Sequence, residues 1–358
     1  MDEKSKKAQP LAGDWGEPSL ILTGPQEWDY NHLSWPKIVQ TTRNNLILAF
    51  SAGIGHNMGG SGLAISVSKD CGCNFSAPEM LRRFPQSDNR YQDCGNCAIG
   101  IAEDGAVVLL AMAFNKNEKL NTIFGFRSED EGESWQTVDT ANLAENKTGS
   151  VYGHIFNLPH GRLGVAGHYR QGSAPREQGI WMSFSEDNGR SWSPAKCITE
   201  GYYVEPAFTY VNGKFIGLLR TGGGGHDFYT LTVSEDGENW ALKPNAFDME
   251  PRGEKYPSPF ITFDPRNPDQ LWALCSVRHE DVTLYSADMR SADNLLEMKW
   301  DKAGTVVKWG GQGEEHADWT YPWMCYLGKN RWMCVFYYGR KRGRCDIYGV
   351  ELRYEAIS

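Results

Sequence analysis

Ser185-Glu186-Asp187-Asn188-Gly189-Arg190-Ser191-Trp192 is one copy of a pattern that decides the fold: Ser, any residue, Asp, any residue, Gly, two residues, then an aromatic. Ser68-Lys69-Asp70-Cys71-Gly72 ending at Phe75 and Ser128-Glu129-Asp130-Glu131-Gly132 ending at Trp135 repeat it. Ser234-Glu235-Asp236-Gly237 ending at Trp240 is a copy one residue shorter, and Ser286-Ala287-Asp288 reads as a decayed fifth. Successive serines are 60, 57, 49 and 52 residues apart. A period of about 55 suits a four-stranded β unit with its loops, and six such units would use nearly the whole chain.

The residue chemistry predicts a hairpin turn. Asp accepts hydrogen bonds from turn N–H groups, Gly takes the positive φ that a side chain resists, and the aromatic packs between sheets. Each copy follows a strand-like run, such as 179–184 or 229–233, and further short strands are expected at 46–50, 107–112, 163–166, 215–219, 271–276 and 332–337. No window keeps a capped helical period. The expected fold is all-β, a six-bladed β-propeller of four-stranded antiparallel blades. Residues 1–18 read as an N-terminal tail and 19–358 as a single domain, closed by pairing 19–22 with 346–352 so that no edge is left open.

Composition narrows the function. The 36 basic and 45 acidic side chains give a net charge of −9, which disfavours a nucleic-acid partner. No apolar run is long enough for a membrane span. The first ten residues are charged and show no secretory h-region, so the compartment stays open: secreted or periplasmic for a trimmed chain, cytoplasmic otherwise. Nine cysteines cannot all pair. Cys71, Cys73, Cys94 and Cys97 have spacings that suit a zinc site or two disulfides, with free thiols on strand ends as the alternative. No metal and no cofactor is expected.

The repeated motif is the Asp-box, and between its copies the chain resembles the sialidase (neuraminidase) superfamily. Ser34-Trp35-Pro36-Lys37 followed by 46–53 looks like the opening blade, where that family has Phe-Arg-Ile-Pro. Segment 153–163 looks like the third blade. Val204-Glu205-Pro206 leading to Arg220 is the best match. The resemblance implies that Glu205 polarises the nucleophile, that Arg220 and Arg278 grip a substrate carboxylate, and that Tyr321, in Trp319-Thr320-Tyr321-Pro322, is the nucleophile. A phenol needs a neighbouring base, and a neutral nucleophile avoids repelling the substrate's own carboxylate.

Two positions depart from the family pattern. Its first arginine aligns with Ser34, leaving Lys37 or Arg43 as replacements, and its acid/base Asp falls in the loop 54–62, where His56 is the titrating group. Asp29, His32 and Asp93 are the alternatives for that acid. Trp319 is expected to stack on a sugar face and the glycine tetrad 222–225 to form a pocket rim, while His154 and His168 flank a strand and stay open between a site role and a structural one. The expected function is an exo-acting glycosidase that releases a terminal acidic sugar from a glycan. An enzyme acting on a uronic-acid polysaccharide, by hydrolysis or elimination, and a non-catalytic glycan-binding propeller are the competing readings.

Overall fold

The computed structural model describes residues 13–26, 29–88, 90–174, 176–221, 228–250, 256–278, 280–308 and 317–354. Among them the regular structure is strand, with three short 3₁₀ turns and no α-helix. After β1 (Gly13–Trp15) and β2 (Ser19–Leu22), the chain lays down antiparallel meanders. The first is β3 (His32–Gln40), β4 (Leu46–Gly53), β5 (Ser61–Ser68) and β6 (Glu79–Phe84), and the second β7 (Asp93–Ile101), β8 (Val107–Asn115), β9 (Leu120–Ser128) and β10 (Gln136–Thr137). The third is β11 (Ser150–Asn157), β12 (Leu163–His168), β13 (Ile180–Ser185) and β14 (Lys196–Thr199), and the fourth β15 (Tyr203–Val211), β16 (Lys214–Thr221), β17 (Tyr229–Ser234) and β18 (Ala241–Lys243). The fifth is β19 (Phe260–Asp264), β20 (Asn267–Val277), β21 (Asp281–Asp288) and β22 (Asp301–Lys308). The last is β23 (Ala317–Gly328), β24 (Arg331–Arg340) and β25 (Cys345–Tyr354), completed by the N-terminal β2.

That last pairing brings Ser19 opposite Gly349 and Leu20 opposite Tyr348, so the chain ends close on each other as the sequence suggests. β1 also pairs with β25, Gly13 opposite Tyr354, within the stretch expected to be a tail. The first strands touch in succession, β3 with β7, β7 with β11, β11 with β15, β15 with β19 and β19 with β23, and β23 touches β3 again. Their apolar residues fill the core, including Leu33, Ala98, Val151, Ala207, Ile261 and Trp323 at 0% exposure.

The Ser-x-Asp-x-Gly copies make the expected turns. In the third, Ser185 Oγ donates to Asp187 Oδ1 (2.7 Å), Gly189 N to Ser185 Oγ (2.8 Å) and Ser191 N to Asp187 Oδ1 (2.9 Å). The turns at Ser68 and Ser128 repeat these contacts within about 0.1 Å. Ser286 does not: Asp288 instead caps a 3₁₀ turn at Met289–Ser291. The second and third box glycines also seat their turns on the preceding meander, for a Cβ on Gly132 would fall 2.8 Å from Ile47 and one on Gly189 2.6 Å from Val108.

This double demand is measurable. Gly189 has φ +84° and no room, whereas Gly213 has φ +79° and open space. Gly213→Ala should cost about 1 kcal/mol of strain and Gly189→Ala about 1–3 kcal/mol more from the collision, as read by urea denaturation. Equal losses would mean that the turn does not pack on its neighbour.

Candidate functional site

Proline inside a strand removes a ladder hydrogen bond and is tolerated at bulges. Trp35-Pro36, Glu205-Pro206 and Tyr321-Pro322 all lie at register breaks in first strands: between Ser34 and Lys37, Val204 and Ala207, and Thr320 and Trp323. β7 and β11 break likewise at Gly95-Asn96 and Gly153-His154. Trp35, Glu205 and Tyr321 take φ of 54°, 47° and 48°. A bulge re-aims a side chain out of the pleat, and here the bulged residues meet.

The Tyr321 hydroxyl lies 2.8 Å from Glu205 Oε1 and 3.1 Å from Oε2. Arg220, opposite Val204 in the neighbouring strand, donates through Nη1 to Glu205 Oε2 and stands 3.4 Å from the phenol oxygen. Ser258 Oγ donates to Oε2 (2.6 Å) and Asn96 Nδ2 to Oε1 (3.1 Å). The Glu205 backbone N–H is accepted by His168 Nδ1 at 3.1 Å. Burial, then the Arg170 charge, drives the His168 pKa to about 3, which keeps that ring a neutral acceptor.

The charges are set by competition. Burial alone would raise the Glu205 carboxyl, but the Arg220 guanidinium and the Ser258 hydroxyl outweigh it and hold the pKa at about 2. Burial, with the Glu205 charge behind it, pushes the Tyr321 phenol up to about 12. The site is therefore a neutral phenol against a permanent carboxylate. Arg278 lies near enough for its charge to act on Tyr321, and its Nε is buried with no hydrogen-bond partner.

His56, on the β4–β5 loop, is a second centre. Its Nδ1 lies 2.7 Å from Asp318 Oδ2, its ring packs edge-on against Trp35 with centroids 5.2 Å apart, and Trp35 packs against Tyr321 at 6.3 Å. Asp318 also takes the Tyr337 hydroxyl (2.9 Å) and faces His32 Nε2 (3.1 Å), while His32 Nδ1 donates to the Gly343 carbonyl (2.7 Å). Burial works against the Asp318 charge, yet the bonds from His32 and His56 outweigh it and hold the carboxyl well below the usual range. His32, His56 and Asp318 also form the one grouping among the described residues whose ligand atoms lie within 4.8 Å, close enough to share a metal ion. A His32 ring carrying both protons satisfies the same contacts without one.

Other expected residues fall elsewhere. Lys37 is 0% exposed, its ammonium against the Trp35 and Pro36 carbonyls (3.3 and 3.4 Å) and the Tyr152 and Trp323 rings, and burial lowers its pKa to about 8. It lies behind the bulges and replaces no substrate-gripping arginine. Arg43 is exposed in the β3–β4 turn, and Ser34 is 1% exposed. Trp319 is 1% exposed and packs on Tyr338, so it presents no face to a sugar. Asp29 is exposed. Asp93 is buried, its carboxyl raised by that burial, and holds the His56 loop through Gly59 N (3.0 Å) and Ser61 Oγ (3.1 Å). His154 is half-buried, its ring against Phe260 and Trp323. Cys71 and Cys73 are exposed while Cys94 and Cys97 are buried in β7, all as free thiols. The tetrad 222–225 lies outside the described residues. Asp318 and Asn96, in strands, and Ser258 and Arg170, just outside them, went unnoticed in the sequence, where a single polar residue carries no signal.

The fold has many solved counterparts. A protein of unknown function from Dyadobacter fermentans matches with TM-score 0.71 at 18% identity, over 96% of this chain and 99% of its own. The NanB sialidase from Streptococcus pneumoniae matches at 0.67 and 13%, over 98% and 71%. An α-L-arabinofuranosidase from Fusarium graminearum matches at 0.68 and 11%, over 94% and 98%. At these identities the likeness is one of fold. No curated protein sequence matches the chain. The family model described as a BNR repeat-like domain matches residues 63–281, well over half of the chain. With the Ser-x-Asp-x-Gly turns at their repeating interval, the chain belongs to the BNR repeat-like domain family.

Proposed function

We propose that the chain is a retaining exo-glycosidase that releases a terminal acidic sugar from a glycan, working at the centre of a closed six-bladed propeller formed by residues 19–358 as one domain. The cyclic contact of the six first strands and the β2–β25 pairing support the architecture. The observation that carries the chemistry is Tyr321 hydroxyl bonded to both oxygens of Glu205, with Arg220 against both groups. The solved sialidases and arabinofuranosidase of this fold act on sugars, which agrees with a glycan substrate.

In this reading Arg220 and Arg278 bind the sugar carboxylate, and Tyr321 Oη attacks the anomeric carbon while its proton passes to Glu205. With the carboxylate near 2 and the phenol near 12, transfer ahead of attack is strongly uphill, so it accompanies formation of the C–O bond. A substrate anion that shares Arg220 loosens that residue's hold on Glu205 and makes the base stronger. His56, oriented by Asp318 through Nδ1, donates from Nε2 to the departing oxygen. Its neutral ring then takes a proton from the water that cleaves the glycosyl–tyrosine bond, and Tyr321 recovers its proton from Glu205.

A panel of chromogenic acidic glycosides tests the assignment. Tyr321→Phe and Glu205→Gln should each lower kcat/KM by roughly 10³-fold or more. An unaltered rate in either variant, or silence of the unmodified protein on every acidic glycoside, removes the proposal. His56→Gln should cost roughly 10²–10⁴-fold on alkyl glycosides and far less on nitrophenyl glycosides, whose leaving group needs no proton. Glu205, held near 2, stays ionised above about pH 3 and sets no limb in the neutral range.

A further inference from the structure

The cavity that reaches Glu205 and Arg220 continues among the second, third and fourth meanders, with a volume of about 550 Å³. That lies inside the roughly 300–1,000 Å³ of small-molecule sites. It holds a second guanidinium that the proposed chemistry does not use: Arg170, two residues beyond β12. Arg127, Arg220 and Arg266 each reach a carboxylate. Arg170 does not, among the described residues. Its guanidinium lies over the Phe114 ring at 5.0 Å, and its side chain donates only to Met112 Sδ at 3.8 Å, a weak acceptor. Burial lowers its pKa and the Glu205 charge opposes this. A desolvated cation without a partner is costly unless a ligand supplies the anion.

The surroundings favour a sugar as that ligand. Asn96, Asn121, Gln171 and Gln178 line the cavity with amides, suited to hydroxyl groups. Tyr202 stands at its edge 65% exposed, the most exposed large hydrophobic side chain among the described residues, and offers an uncovered ring face.

We infer that this cavity is a subsite for the sugar next to the reacting unit, and that this second sugar carries its own anionic group, a carboxylate or a sulfate, held by Arg170 while the ring lies on Tyr202. The preferred substrate is then an acidic glycan with anions on two consecutive units. The inference rests on the reacting sugar sitting at Tyr321.

The test is calorimetric binding to the full chain carrying Tyr321→Phe, which stops turnover. The probes are matched disaccharides whose terminal acidic sugar is followed by a neutral, a carboxylated or a sulfated unit. A second anion should tighten binding by about tenfold or more, the two charged probes showing which group is preferred. Adding Arg170→Gln should erase that gain while leaving the neutral-second-unit probe within about twofold. Equal affinity for the matched probes, or a gain that survives Arg170→Gln, overturns the inference. Should Arg170→Gln fail to fold, the matched probes on the protein that keeps Arg170 decide alone, at two salt concentrations. Binding of the neutral-second-unit probe without any gain from a second anion overturns this inference only, whereas no binding to any probe overturns the proposed function as well.

Discussion

The hydrogen bond from the Tyr321 phenol to the Glu205 carboxylate is the contact on which the proposed chemistry depends. Its partners are 116 residues apart, one on the fourth meander and one on the last, so it forms only when the chain has come round on itself. It also exists only because the carboxylate is kept charged where burial would neutralise it. Arg220, Ser258 and Asn96 supply that compensation from three different meanders, which ties the electrostatics of the site to the packing of the first strands.

What delivers those groups to one point is a repeated irregularity. A regular strand alternates its side chains between two faces, and neither face of a first strand points along the middle of the molecule. The breaks at Trp35, Glu205 and Tyr321 spend a ladder hydrogen bond and a positive φ to turn a side chain inward. Proline follows each of them, where no N–H is missed. Gly153 fills the matching place in β11, where φ is +97° and a Cβ would lie 3.2 Å from Trp323.

The turns were legible because the Ser-Asp-Gly pattern carries its own mechanism: two side-chain oxygens bonded to backbone a few residues away, and one residue at positive φ. Glu205, Arg220 and Tyr321 were legible through the segments around them, and the structure brings all three together. Lys37 and Trp319 were misplaced because register decides their direction, and the bulge beside each shifts the alternation a reader would assume. Asp318 was invisible for another reason. Its contacts with His32 and His56 span 286 and 262 residues, and nothing local distinguishes it from a solvated strand carboxylate. Arg170 is the same case with opposite sign, since its want of a carboxylate partner among the described residues appears only in three dimensions.

A ring-fluorinated acidic glycosyl fluoride would trap the proposed intermediate on Tyr321, and mass spectrometry of the digested protein would map the adduct. One sugar-mass increment is expected on the peptide carrying Tyr321, absent from Glu205→Gln on the same timescale. An increment on another residue, or turnover with inversion at the anomeric carbon, would contradict the Tyr321 assignment.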